Sequence, residues 1–165
     1  MKVVLHRLRV ALHCVPTARD WNETICLLLL FAVFYLPIGV YLDFLKFEPH
    51  LAWQTVLGVM LRAFLMPGLS EEIVFRGMLI PRSTESTQFS RSFAIALSWG
   101  LFVLYHLHPF VPPFFRSTAF LIGAGLLGIV CTVSYLRSQS LWTAVVIHWA
   151  IVIVWLLVFG GLEKF

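Results

Sequence analysis

The chain has 165 residues, of which 60% are hydrophobic and only 12% charged, and a formal net charge of +4, with a mean hydropathy of +0.91 and a pI near 9.3. A soluble domain is about a quarter charged, so water is excluded as the natural solvent, and runs of roughly 20 apolar residues become the units that cross a bilayer. Lysine and arginine are scattered one or two at a time. That pattern argues against nucleic acid as a partner and for the loop-charge bias of a membrane protein.

Residues 1–23 carry Lys2, Arg7, Arg9 and Arg19 between short apolar groups. They are too interrupted for the apolar core of a signal peptide and read as a basic segment, cytoplasmic or interfacial. A partly ordered tail is preferred here to an amphipathic helix. The first span follows from about Thr24 to Leu42, interrupted by Pro37 and Gly39. A polar loop with Asp43, Lys46, Glu48, Pro49 and His50 comes next.

The segment from about Leu51 to Arg82 is too long for one crossing, some thirty residues at ~1.5 Å each. Pro67-Gly68 divides it, which predicts a kinked helix or two abutting ones. Arg62 lies in its first half and is read as snorkelling to the headgroups. Pro81 to Ser92 is a loop by composition. A third span covers about Phe93 to Leu107, closed by His108-Pro109 and Pro112-Pro113. The fourth runs from about Thr118 to Leu136, thinned by Gly123, Gly125 and Gly128 for close helix contact. The last covers about Leu141 to Gly160, with Trp142 and Trp155 as interfacial anchors.

The expected fold is therefore an all-α polytopic transmembrane bundle of about five spans, with residues 24–165 as a single membrane domain. An N-terminus in the cytoplasm leaves Arg82, Arg91 and Arg137 inside and Lys46, Arg116 and Lys164 outside, the majority falling inside. The expected location is an integral, multi-pass membrane protein, in the plasma membrane if the cell is bacterial. Cys14, Cys26 and Cys131 are an odd number without paired spacing and read as small hydrophobes rather than a disulfide or zinc framework.

GLSEEIVFRG, Gly68 to Gly77, puts two carboxylates and a guanidinium into this hydrocarbon-like chain. On a helix Glu72 lies one turn below Arg76 and Glu71 below Phe75, so Glu72 has a partner and Glu71 has none. An ion at mid-membrane costs about 2.5–3.5 kcal/mol, and three of them are too costly to face lipid. The Glu72–Arg76 pair reads as a brace. Glu71, unpaired where water is scarce, is the group free to take and return a proton. His106 and His148 also sit within spans, and polar groups in lipid turn toward the bundle interior. His108, before a proline, reads as a loop residue at the membrane edge.

SEEIVFRG resembles the Glu-Glu-x-x-x-Arg motif of the CPBP family, the membrane proteases that include the type II CAAX prenyl endopeptidases and relatives tied to bacteriocin processing and immunity. FVLYH, Phe102 to His106, is similar to the family's Phe-x-x-x-His second motif, and YLRSQSLWTAVVIHW, ending in His148 and Trp149, to the approach to its third. The similarity covers a core of about 51–160. It implies an endopeptidase cutting near the cytoplasmic leaflet, CAAX-protease-like. Glu71, helped by His106, would activate water, His148 would stabilise the oxyanion, and Glu72, Arg76 and Phe102 would support the motif. The family's third motif usually carries Asn or Asp four residues after its histidine, where this chain has Val152. Valine can neither polarise a carbonyl nor orient an imidazole.

The implied partners are membrane lipid and a peptide or protein substrate, lipid-modified ones included, with no nucleic acid. No cofactor is expected. Glu71, His106 and His148 are a plausible zinc set on paper, but the His-x-x-x-His pair that preorganises two ligands on one helix is missing. Two other classes remain: a catalytically weak or inactive member acting as a membrane interaction or immunity protein, which Val152 favours, and a proton or ion pathway, which would need more polar residues along the spans.

Overall fold

A computed structural model describes residues 2–82, 84–85 and 87–165. Met1 lies outside them, as do Ser83 and Ser86 of the expected loop. The described chain is helical: α1 Lys2–His13, α2 Ala18–Tyr41, α3 Trp53–Ala63, α4 Ser70–Glu72, α5 Gln88–Tyr105, α6 Thr118–Ser138 and α7 Leu141–Val158. The short α4 lies between two wide π-helical stretches, Phe64–Leu69 and Ile73–Met78. No β-strand occurs among the described residues.

Capping explains why the helices start where they do. Thr17 and Asp20 form a reciprocal capping box at the start of α2, satisfying amides that would otherwise have no partner. The Thr87 hydroxyl accepts from the Ser90 amide, so α5 begins several residues before the expected start at Phe93. Ser117 and Ser140 cap α6 and α7 in the same way. Pro37 stays inside an unbroken α2.

α6 lies at the centre, in contact with α2, α5 and α7. The burial pattern is inverted relative to a soluble protein. Leu29, Val33, Phe34 and Val40 of α2 and Phe93 and Leu104 of α5 point outward, while Glu72, Arg76, His106, His148, Ser98 and Thr143 are buried. Lipid is the medium that rewards such an arrangement. α2, α6 and α7 are each long and apolar enough to cross a membrane. α5 has eighteen residues and α3 eleven before the chain breaks.

The basic N-terminal segment differs from expectation. It is a helix, with Ala11 and Arg7 buried. Arg7 donates to Glu85 at 2.7 Å and to the Met78 carbonyl at 2.7 Å, and these partners order the segment from the other side of the sequence. The Trp142 indole donates to the Leu12 carbonyl at 2.8 Å, which ties α7 to α1. Trp155 stacks on Phe44 at 5.9 Å. The three cysteines are free, Cys131 buried and Cys26 exposed on α2.

Charge divides the bundle into two ends. Arg7–Glu85 and Arg137–Glu23 bind one end together. The other gathers Lys46 beside Asp43, Arg116 on the His108 carbonyl and Lys164 over the Phe44 ring.

Candidate active site

Proline chemistry shapes the segment that carries the twin acids. A residue preceding proline is pushed out of the helical region, and Met66 is extended at φ −143°, ψ 117°. The chain then turns through Gly68 into α4 between its π-helical flanks, a geometry common at functional sites. α7 crosses this break closely: a Cβ on Gly68 would lie 2.8 Å from the Ala63 carbonyl oxygen and 3.4 Å from the Trp149 Cβ. The Trp149 indole donates across to the Met60 carbonyl at 2.8 Å. His148 is thereby brought against α4.

Glu72 is the hub of the buried polar network. Glu72 and Arg76 are both completely buried. Glu72 Oε1 accepts from Arg76 Nη1 at 3.0 Å and from His148 Nδ1 at 2.7 Å. Arg76 Nη2 donates to the Gly128 carbonyl at 2.9 Å, and its Cζ sits 4.6 Å over the Phe102 ring, a favourable cation–π placement. Gly128 is required there, because an added Cβ would stand 2.9 Å from Trp99 Cδ1 and 3.2 Å from Phe102 Cδ1. Ser98 Oγ donates to the Phe75 carbonyl, which fastens α5 to the motif segment. Motif segment, α5, α6 and α7 thus meet around one ion pair.

Glu71, His106 and His148 line one cavity of about 560 Å³. Glu71 Oε2 is 3.9 Å from His148 Nε2 and, though buried, has no hydrogen-bonding partner in the protein. That gap is too long for a direct hydrogen bond and short enough for one oxygen atom to contact both. His106 Nδ1 donates to the Phe102 carbonyl at 2.9 Å, leaving Nε2 as its free nitrogen. His148 Nδ1 is occupied by Glu72, so Nε2 is its free nitrogen as well. Phe102 lies between the two imidazoles, with ring centres 5.2 Å from His106 and 5.9 Å from His148.

A family model described as type II CAAX prenyl endopeptidase Rce1-like matches residues 52–154. The chain belongs to this family. No curated protein and no solved structure matches it. Membership in the Rce1-like family supports a CAAX-protease-like membrane endopeptidase, and the three motifs singled out in the sequence all fall within the match.

The site differs from the sequence reading in three respects. Glu72 does more than brace a helix, since it also orients His148, 76 positions away. Neighbour spacing could reveal only its bond to Arg76. Arg62 lines the same cavity, as does Val152, which makes this part of the wall aliphatic. A cluster of potential metal ligands among the described residues is Glu72, Cys131 and His148, with ligand atoms within 4.8 Å of one another, a different set from the Glu71, His106 and His148 considered above as a zinc alternative. Its carboxylate oxygen already serves Arg76 and His148, and a guanidinium at 3.0 Å opposes any cation there.

Proposed function

We propose that this protein is a membrane endopeptidase that hydrolyses a peptide bond in the cavity, using Glu71 and His106 to activate water. The observation that carries the reading is the convergence of Glu71, His106 and His148, from three separated elements, on one cavity, while Glu72 holds His148 from behind. Water bound between Glu71 and the free nitrogen of His106 attacks the carbonyl carbon, and the Glu71 carboxylate takes its proton. The oxyanion that forms accepts from protonated His148 Nε2, a fixed donor where water is scarce. As the tetrahedral intermediate collapses the C–N bond breaks, and Glu71 returns the proton to the leaving amine.

The mechanism needs no metal. In support, the one tight ligand cluster among the described residues is built on a carboxylate already paired with arginine. Phe31, Phe44, Phe115 and Phe120 line much of the cavity, a wall suited to an apolar or lipid-modified peptide. The end carrying Arg7 and Arg137 faces the cytoplasm in this reading, and His148 lies in the half of α7 nearer that end, in keeping with cleavage near the cytoplasmic leaflet.

The test is cleavage of a peptide library by the detergent-purified protein. Wild type should cut, and both Glu71→Ala and His106→Ala should lose the activity. The lining position of Val152 favours a second reading, an inactive family member acting as a membrane interaction or immunity protein. A wild type that cuts nothing, together with biological activity that survives Glu71→Ala, would select that reading.

A further inference from the structure

Arg7 is a buried charge that the reaction leaves unexplained. It is only 8% exposed, yet it belongs to α1, outside the part of the chain that matches the family. Helices end with carbonyls that lack an intrahelical partner, and Arg7 Nη1 donates to one of them at 2.7 Å, the Met78 carbonyl that ends the motif segment. Its Nε donates to Glu85 at 2.7 Å. Leu8, the next residue, presses on Gly77, where an added Cβ would stand 2.8 Å from Leu8 Cδ1 and 3.7 Å from Leu141 Cδ1. The glycine that closes GLSEEIVFRG is therefore the point at which α1, the motif segment and α7 meet. The other end of α1 is fastened to the start of α7: the Trp142 indole donates to the Leu12 carbonyl at 2.8 Å and the Ser140 hydroxyl to the Cys14 carbonyl at 2.6 Å.

We propose that α1 is a strap across the active site, with Arg7 as the positioning residue that holds the segment carrying Glu71 and Glu72 in register with the helix that carries His148. The catalytic consequence rests on the endopeptidase reading, whereas the strapping itself does not. The geometry of the site is set between two elements: Glu71 Oε2 stands 3.9 Å from His148 Nε2, and Glu72 Oε1 is 2.7 Å from His148 Nδ1. One of those elements is π-helical on both sides of α4, a rare backbone form, so its placement relies on bonds to its neighbours. Ser98 and the Gly128 carbonyl tie it to α5 and α6. α1 supplies a tie to α7 beyond the acids. Arginine suits the role because its fixed fork of donors can serve a carboxylate and a carbonyl at once. The effect on rate is large for small displacements, since a misplacement of ~1 Å caused far from the chemistry can cost about a hundredfold.

The experiment uses the full-length protein in detergent with Arg7→Met, which keeps the length of the side chain and removes both bonds, with Arg7→Lys, which keeps a charged donor, and with Glu85→Gln, which removes the ion pair and spares the bond to Met78. kcat and KM are measured on a peptide that the wild type cuts. Independently of cleavage, the proton on His148 Nδ1 that Glu72 accepts is followed by NMR of 15N-histidine-labelled protein and assigned by its absence from His148→Gln. Arg7→Met should lower kcat about ten- to a hundredfold with KM within about twofold. It should also shift or broaden the His148 signal at a temperature where tryptophan fluorescence shows the fold intact. Arg7→Lys should restore part of both, and Glu85→Gln should have the smaller effect.

A His148 signal in Arg7→Met identical to that of the wild type would overturn the proposal, and a lower Tm beside it would make α1 a stabilising element only. A change in KM with kcat untouched would overturn it as well. Should Arg7→Met fail to fold, Trp142→Phe, which loses only the bond to the Leu12 carbonyl, takes its place: a shifted or broadened His148 signal supports the strap and an unchanged one refutes it. Failure of the wild type to cleave sinks the endopeptidase reading alone, and the His148 signal then decides the strap by itself.

Discussion

Glu71 and Glu72 are adjacent and chemically identical, yet the structure predicts opposite consequences for stability when each is removed. Glu72→Ala strands Arg76, completely buried, with no carboxylate at 3.0 Å, and frees His148 from its 2.7 Å bond. Breaking a buried pair from one side costs about 3–5 kcal/mol. For a chain of this size each kcal/mol shifts Tm by about 2–4 °C, so Glu72→Ala should lower the melting temperature by roughly 6–20 °C. Glu71→Ala removes a carboxylate whose buried oxygen has no protein partner. It should leave Tm within about 2 °C of wild type or raise it, because deleting an unsatisfied polar group relieves a desolvation cost. The assay is thermal unfolding in detergent, followed by tryptophan fluorescence, with cleavage measured on the same samples. Both variants should be inactive, one for want of a base and the other for want of an oriented His148. A Glu72→Ala protein that melts with the wild type, or a Glu71→Ala protein that melts far below it, would refute the division of labour.

Four further outcomes rest on the same geometry. Glu72→Ala/Arg76→Leu should recover part of the stability lost in Glu72→Ala, since removing both charges spares the buried arginine; a double variant as unstable as the sum of the two singles would contradict this. Gly128→Val forces a side chain between Trp99 and Phe102 and should cost about 1–3 kcal/mol in detergent unfolding, with activity falling because Phe102 lies under Arg76. Val152→Asn should raise kcat by up to about tenfold if His148 is short of one companion donor at the oxyanion, and 1,10-phenanthroline should leave cleavage unchanged at concentrations that strip zinc.

The sequence made the solvent and the cast of residues legible. A chain that is 60% hydrophobic must put its helices in lipid and its few charges inside, and the break at Pro67 follows from the missing amide and crowded ring of proline. The i,i+4 spacing sufficed to pair Glu72 with Arg76 and to leave Glu71 spare. Where periodicity was weak the boundaries shifted, as at Thr87, whose hydroxyl starts α5 early. The order of α1 was equally hidden, because it depends on Glu85 and Met78, about seventy positions downstream.

What tertiary structure decided was which groups face one another. Local spacing carries information over one or two helical turns, whereas the bond from His148 to Glu72, the seat of Arg76 on the Gly128 carbonyl and the shared cavity of Arg62 and Val152 all join helices far apart in the chain. Those contacts exist because packed helices leave only a few places where a buried polar group can find a partner, and packing, rather than any stretch of sequence, determines where those places are.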